Sequence, residues 1–191
     1  MQRESERKYK VNAIEILNKE HDLILRGLDL LTTAAEKIVR NQNPPREFFE
    51  KAVSFTLNFT NKFHHYKEEI VMFGLLAQKH QGEIDAEIER LRSQHHALHD
   101  YMNEISHSLD AYSENIDSEV RRLHRNLSDY IETLRRHVNA ENQIFYPLVR
   151  KALTRDEMRW LAEEFEKYAA KEGPGAMKEY EALVDEMAKL V

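Results

Sequence analysis

Apolar residues recur every three or four positions over most of the chain, in four long blocks, and that spacing predicts amphipathic helices. The first block runs from Val11 to Asn41 through Ile14, Leu17, His21, Ile24, Leu25, Leu28 and Leu31, and stops at Pro44-Pro45. The second, about 46–79, carries Val53, Leu57, Thr60, His64, Glu68, Val71, Met72 and Leu75 and ends near Gln81-Gly82. The third, about 83–112, follows the frame Ile84, Ile88, Leu91, His95, Leu98, His99, Met102, Ile105 and Leu109. After the polar break Asn115-Ile116-Asp117-Ser118, which offers N-cap residues, the fourth carries Val120, Leu123, Leu127, Tyr130, Leu134, His137, Glu141, Ile144, Phe145 and Leu148. Four long helices on short links predict an all-α, up-down-up-down four-helix bundle. Two shorter helices follow. Thr154-x-x-Glu157 is a capping box that opens one around Trp160, Leu161 and Phe165, and Gly173-Pro174-Gly175 introduces another with Tyr180, Leu183, Val184 and Met187. The chain thus divides into a polar tail (1–10), the bundle (11–150) and a C-terminal helical extension (151–191). The extension packs on the outside of the bundle or supplies a homodimer contact.

Polar residues interrupt the apolar frames in a repeated way. His64-x3-Glu68-x3-Met72-Phe73-Gly74-Leu75 returns as His137-x3-Glu141-x3-Phe145-Tyr146-Pro147-Leu148, and Leu17-x3-His21-x3-Leu25 returns as Leu91-x3-His95-x3-His99. A four-residue step puts an imidazole and a carboxylate on one helix face. Register then sorts the ten histidines. His64 and Glu68 fall in the apolar frame, whereas His65 and Glu69 align with Asn58, Asn61 and Lys62 and are expected at the solvent. His95 and His99 share the frame of Leu91 and Met102. His96 aligns with Asp85, Glu89, Arg92 and Asn103, so it is a solvent histidine. His80 and His107 read as loop or surface residues, and His124 sits at the margin of its helix.

A single inward histidine is most often a hydrogen-bonded core residue. Here each of four helices brings one, two add a glutamate, and an unpaired ionised carboxylate in a bundle core costs several kcal/mol. His21, His64, Glu68, His95, His99, His137 and Glu141 therefore read as ligands for two cations. The chain has no Cys, so any metal must sit on nitrogen and oxygen. No apolar run approaches the roughly 20 residues of a membrane span, and the N-terminus lacks a signal-peptide core, which gives a cytoplasmic expectation. A net charge of −6 with interspersed signs offers nucleic acid no basic stripe.

The segment His64-His65-Tyr66-Lys67-Glu68-Glu69 before Met72-Phe73, the upstream Glu20-His21, the His95-x3-His99 pair and His137-x3-Glu141 before Phe145-Tyr146-Pro147 resemble the hemerythrin-like (HHE cation-binding) proteins. The resemblance covers roughly residues 11–150 and implies a non-haem di-iron centre with an oxo or hydroxo bridge. Carried over, His21 and His64 bind one iron, His95, His99 and His137 the other, and Glu68 and Glu141 bridge them. The chain departs from the oxygen-carrying members, which have an Asp five residues after the last His where this chain has Glu141 four after it. Gly74 also stands where many relatives have Pro.

The internal repeat pairs His99 with Leu25, so one iron has three imidazoles and the other two. That asymmetry leaves an open position facing Leu25, suited to O2, peroxide, NO or azide. Histidine-rich ligation favours reversible ligand binding, and no inward Ser, Cys or Lys is evident as a nucleophile. The expected role is oxygen sensing, handling or supply. Peroxide or nitric-oxide defence as an enzyme, or iron and general cation handling, are the alternatives.

Overall fold

The computed structural model describes residues 12–79, 82–114, 116–173 and 175–191. The polar tail, Val11, His80, Gln81, Asn115 and Pro174 lie outside them, and with His80 its expected place in a loop or at the surface. Helix α1 (Ala13–Val39) begins where the Asn12 side chain accepts the Ile14 N–H at 3.0 Å, which satisfies one donor that a helix start leaves open. After Pro44-Pro45 a single right-handed coil runs from Arg46 to Lys79. It opens as α2 (Arg46–Phe55), widens into π-helical turns over Thr56–His65 and Lys67–Met72, and closes as α3 (Phe73–Leu76) and one 3-10 turn (Ala77–Lys79). Then come α4 (Gly82–Ser113) and α5 (Asp117–Ala140), a π-turn at Glu141–Phe145, and α6 (Tyr146–Ala152). The extension is α7 (Arg155–Glu172), with the capping box of Thr154 and Glu157 formed in both directions, and α8 (Ala176–Ala188). Every regular element among the described residues is helical.

The wide turns have a sequence cause. Ala52, Thr56, Thr60, His64, Glu68, Met72 and Leu76 are all buried, in a file with strict four-residue spacing. In an α-helix four residues turn the chain by about 400°, so such a file drifts about 40° per step and leaves its face within a few turns. A π-turn takes more residues per revolution and holds the file in place. The same widening draws in Phe55, Phe59, Phe63 and Lys67, while Val53 and Leu57, expected inside, are only half-buried. Ile144, also expected inside, is exposed beside the π-turn at Glu141–Phe145.

Two apolar clusters fill the interior. One gathers Ile24, Leu28, Phe59, Phe63, Leu98, Leu134 and Val138, and the other Leu17, Met72, Phe73, Leu91, Phe145 and Tyr146. Each helix passes from one cluster to the other across a polar residue: His21, Glu68, His95 or Glu141. A charged layer is thereby walled off from water on two sides. Within the first cluster α1 and α2 approach closely at Gly27, where a Cβ would stand 2.9 Å from Phe55 Cε1. Helix α7 lies on α1 and the Lys67–Met72 turn, and α8 on α1 and α2. None of the described helices is long and apolar enough to cross a membrane.

Candidate metal centre

The polar layer holds two groups of side chains able to bind a cation: His21, His64, Glu68 and Glu141, and His65, Glu68, His95 and His137. In each group the donor atoms lie within 4.8 Å of one another, and every member is buried. Glu68 belongs to both. Glu141 also faces both ways, with Oε2 at 3.1 Å from His21 Nε2 and Oε1 at 3.1 Å from His137 Nε2.

Four of the five rings are fixed from behind. His21 Nδ1 meets Asn142 Oδ1 at 2.9 Å, His64 Nδ1 meets Glu20 Oε2 at 2.9 Å, His95 Nδ1 meets Glu69 Oε1 at 2.5 Å, and His137 Nδ1 meets Gln94 Oε1 at 3.0 Å. All four partners are acceptors, so each Nδ1 carries the proton and each Nε2 turns a lone pair inward. Such outer partners set the tautomer of metal-binding histidines. Lys67 extends one of them: its ammonium, fully buried, donates to Glu20 Oε1 at 2.6 Å and lies over the Phe63 ring. The Tyr146 hydroxyl spends its single proton on Glu68 Oε1 at 2.8 Å, which leaves Glu68 Oε2 without a partner.

The result is a layer of acceptors facing acceptors. His64 Nε2, Glu68 Oε2 and both oxygens of Glu141 are enclosed and unbonded, and Nε2 of His95 and His137 stand 3.0 Å apart, where at most one proton fits between two lone pairs. Buried polar atoms are nearly always satisfied, so this many lone pairs on one centre calls for positive charge. Without a cation the titrations split. Burial, then the neighbouring Glu141, raises Glu68 well above the usual carboxylate range. Burial would raise Glu141 too, but the imidazoles of His137 and His21 hold it well below that range. Burial lowers His64 to about 4, against the pull of Glu20, and lowers His65 and His137 in the same direction. Neutral imidazoles with ionised carboxylates are the ligand forms a cation needs.

Six of the seven ligand candidates read from the sequence come together here: His21, His64, Glu68, His95, His137 and Glu141. His99 does not. Its side chain is 53% exposed, bonded to Asn103 at 3.1 Å on its own helix. Its expected place is taken by His65, only 6% exposed and stacked on His95 with ring centroids 3.7 Å apart. The α-helical register that put His65 and Glu69 at the solvent fails because the π-turns widen the buried face to hold neighbours. Leu25, expected at the open position, is half-buried and packs on the first apolar cluster. Lys67 corrects the reading that no lysine points inward. Of the remaining histidines, His96 and His107 are exposed, as expected, and His124 is half-buried outside both groups.

A family model, the hemerythrin HHE cation binding domain, matches residues 12–149. No curated protein and no solved structure matches the chain.

Proposed function

The chain belongs to the hemerythrin HHE cation-binding domain family, and we propose that it is a non-haem di-iron protein that binds a small ligand such as O2. The observation that carries this reading is the ring of buried imidazoles closed on Glu68 and Glu141. Nitrogen and oxygen donors without sulfur suit iron, and a histidine-rich set favours reversible ligand binding over oxygen activation. The proposed architecture is an up-down-up-down bundle, since α4 and α5 pack along one another across a short link.

His21 and His64 would hold one ion and His65, His95 and His137 the other, with Glu68 and Glu141 shared. Iron there would supply a redox-active Lewis acid with a place for a small ligand. The chain does the rest. Glu20 and Lys67 aim His64, Tyr146 holds one oxygen of Glu68 so that the other points inward, and the two apolar clusters exclude bulk water. The side with two imidazoles has one donor fewer. In the repeat the counterpart of His65 is Val138, a buried side chain with nothing to donate, and the counterpart of Leu25 is His99, which is exposed, so the repeat assigns the open place to Val138.

Anaerobic loading with ferrous iron, followed by an iron count and an optical titration with O2 or azide, tests this. About two iron per chain are expected, with a new absorption band on ligand addition. One iron per chain, or none, sinks the paired site. A spectrum indifferent to both ligands sinks the ligand-binding role.

A further inference from the structure

Beside the paired groups a cleft of about 310 Å³ opens to solvent. Asn61, His65, Glu69, His95, His96 and His99 line it, so it touches two rings of the centre and two that belong to none. His65 differs from the other four rings of the layer in one respect: neither of its nitrogens has a hydrogen-bond partner among the described residues. Its Nε2 is enclosed and unbonded, and its ring meets only other rings, stacked on His95, edge-on to His137 and tilted against His64. A ring without an anchor can turn where an anchored one cannot.

The wall of the cleft is also rich in unsatisfied donors. The amide oxygen and nitrogen of Asn61 are both enclosed without a partner. His96 Nδ1 donates to the Arg92 carbonyl at 2.8 Å, which leaves its Nε2 as a free lone pair. His99 stands one turn below His95, and Glu69, already joined to His95, adds negative charge. Imidazoles, a carboxylate and an amide oxygen suit a divalent transition-metal cation, and the volume admits one with its water shell. A diatomic ligand needs neither.

We propose that this cleft is the loading port of the centre: a hydrated divalent cation is caught by His96 and His99, exchanges water for His65, and passes into the layer as that ring turns inward. The proposal rests on the cation-binding reading above. It gives His99 a transient part on the path in place of a resident one.

The test follows metal uptake by metal-free protein, with ferrous iron under anaerobic conditions and cobalt as a second optical probe. The double variant His96→Gln/His99→Gln should load about tenfold more slowly, the loss of about 1.4 kcal/mol of capture energy at the mouth. Release to a chelator should slow by the same factor, so final metal content and affinity match the parent. Asn61→Trp, which fills the cleft and removes no imidazole, should slow both rates as well, and His107→Gln, exposed elsewhere on α4, should slow neither. Parental loading rates in the double variant overturn the port and leave the cation site standing. Lowered affinity in that variant also overturns it, since His96 or His99 would then be a resident ligand. A parent that takes up neither metal sinks the port together with the reading beneath it.

Discussion

His64 and Glu68 in one copy of the repeat, and His137 and Glu141 in the other, occupy matching places, yet the residue after each histidine differs: His65 in the first, Val138 in the second, both buried. The supports differ too. His64 is held by the Glu20 carboxylate with Lys67 behind it, whereas His137 is held by the neutral amide of Gln94. Oxygen charge behind a ring raises its basicity, so His64 and His137 present unequal nitrogens to what they bind, and the order reverses in the other pair, where His95 is backed by Glu69 and His21 by Asn142. The two copies share the inward atoms and differ one residue away. The asymmetry therefore lies one residue past the repeated frame, at His65 and Val138.

Removing what the halves share should have the largest effect. Glu68 belongs to both groups, so Glu68→Ala should empty both, while His21→Ala should empty one and Gln94→Ala should weaken metal affinity by about 10–100-fold. Metal analysis after dialysis checks the order. Two ions retained by Glu68→Ala would mean that Glu141 alone bridges the halves.

The charged support comes next. Lys67→Met leaves the Glu20 carboxylate buried with half its partners and should cost about 3–5 kcal/mol of unfolding free energy, measured by urea denaturation. Adding Glu20→Gln should recover most of it. A single variant as stable as the parent would show that the buried Glu20 does not depend on Lys67.

Acid should then separate the metal-free protein from the loaded one. His64 titrates near 4 when folded against 6.5 in a model peptide, so the unfolded chain takes up the proton first as pH falls. Stability from this ring is complete above pH 6.5 and is lost on the way down to about 4, roughly 3 kcal/mol in all. His65 and His137 act with the same sign. Glu68, raised, acts against them: its contribution is present at low pH and fades as pH rises. Denaturation at several pH values should show a net acid loss, steeper in Glu68→Gln, where the opposing carboxyl is gone. An apo protein equally stable at pH 7 and pH 4.5 would contradict the buried neutral rings.

Most of the helices were legible in the sequence because apolar spacing and the Pro, Gly and capping signals agree. Six of the residues at the centre were legible because a glutamate buried one turn from a histidine is too costly to keep without a cation or a partner. The register around His65 was not, because an α-helical count of 100° per residue was applied to a coil that is π-helical for much of Thr56–Met72. The burial of the four-residue file from Ala52 to Leu76 shows why: it has no three-residue step, which an α-helix needs to keep a stripe on one face. The outer partners Glu20, Glu69, Gln94 and Asn142 could not be read, since short polar contacts between helices leave no periodic trace.

The smallest change acts on the two residues that follow the histidines. Val138→His gives the second copy the imidazole that the first already has. No donor is removed, so metal content should survive, while the added ring fills the place where a small ligand would bind, as filling the open position turns a catalytic site into a structural one. Azide binding should therefore fall sharply. In metal-free protein the new polar group replaces an apolar side chain that is 2% exposed and should cost about 1–3 kcal/mol, a loss that metal loading should reverse. Leu25→His is the companion variant: the repeat counterpart of Leu25 is His99, which is exposed and outside both groups, so an imidazole at position 25 should leave azide binding at the parental level. If Leu25→His blocks azide and Val138→His does not, the open place faces Leu25 after all, and the asymmetry between the copies lies on α1 and α4.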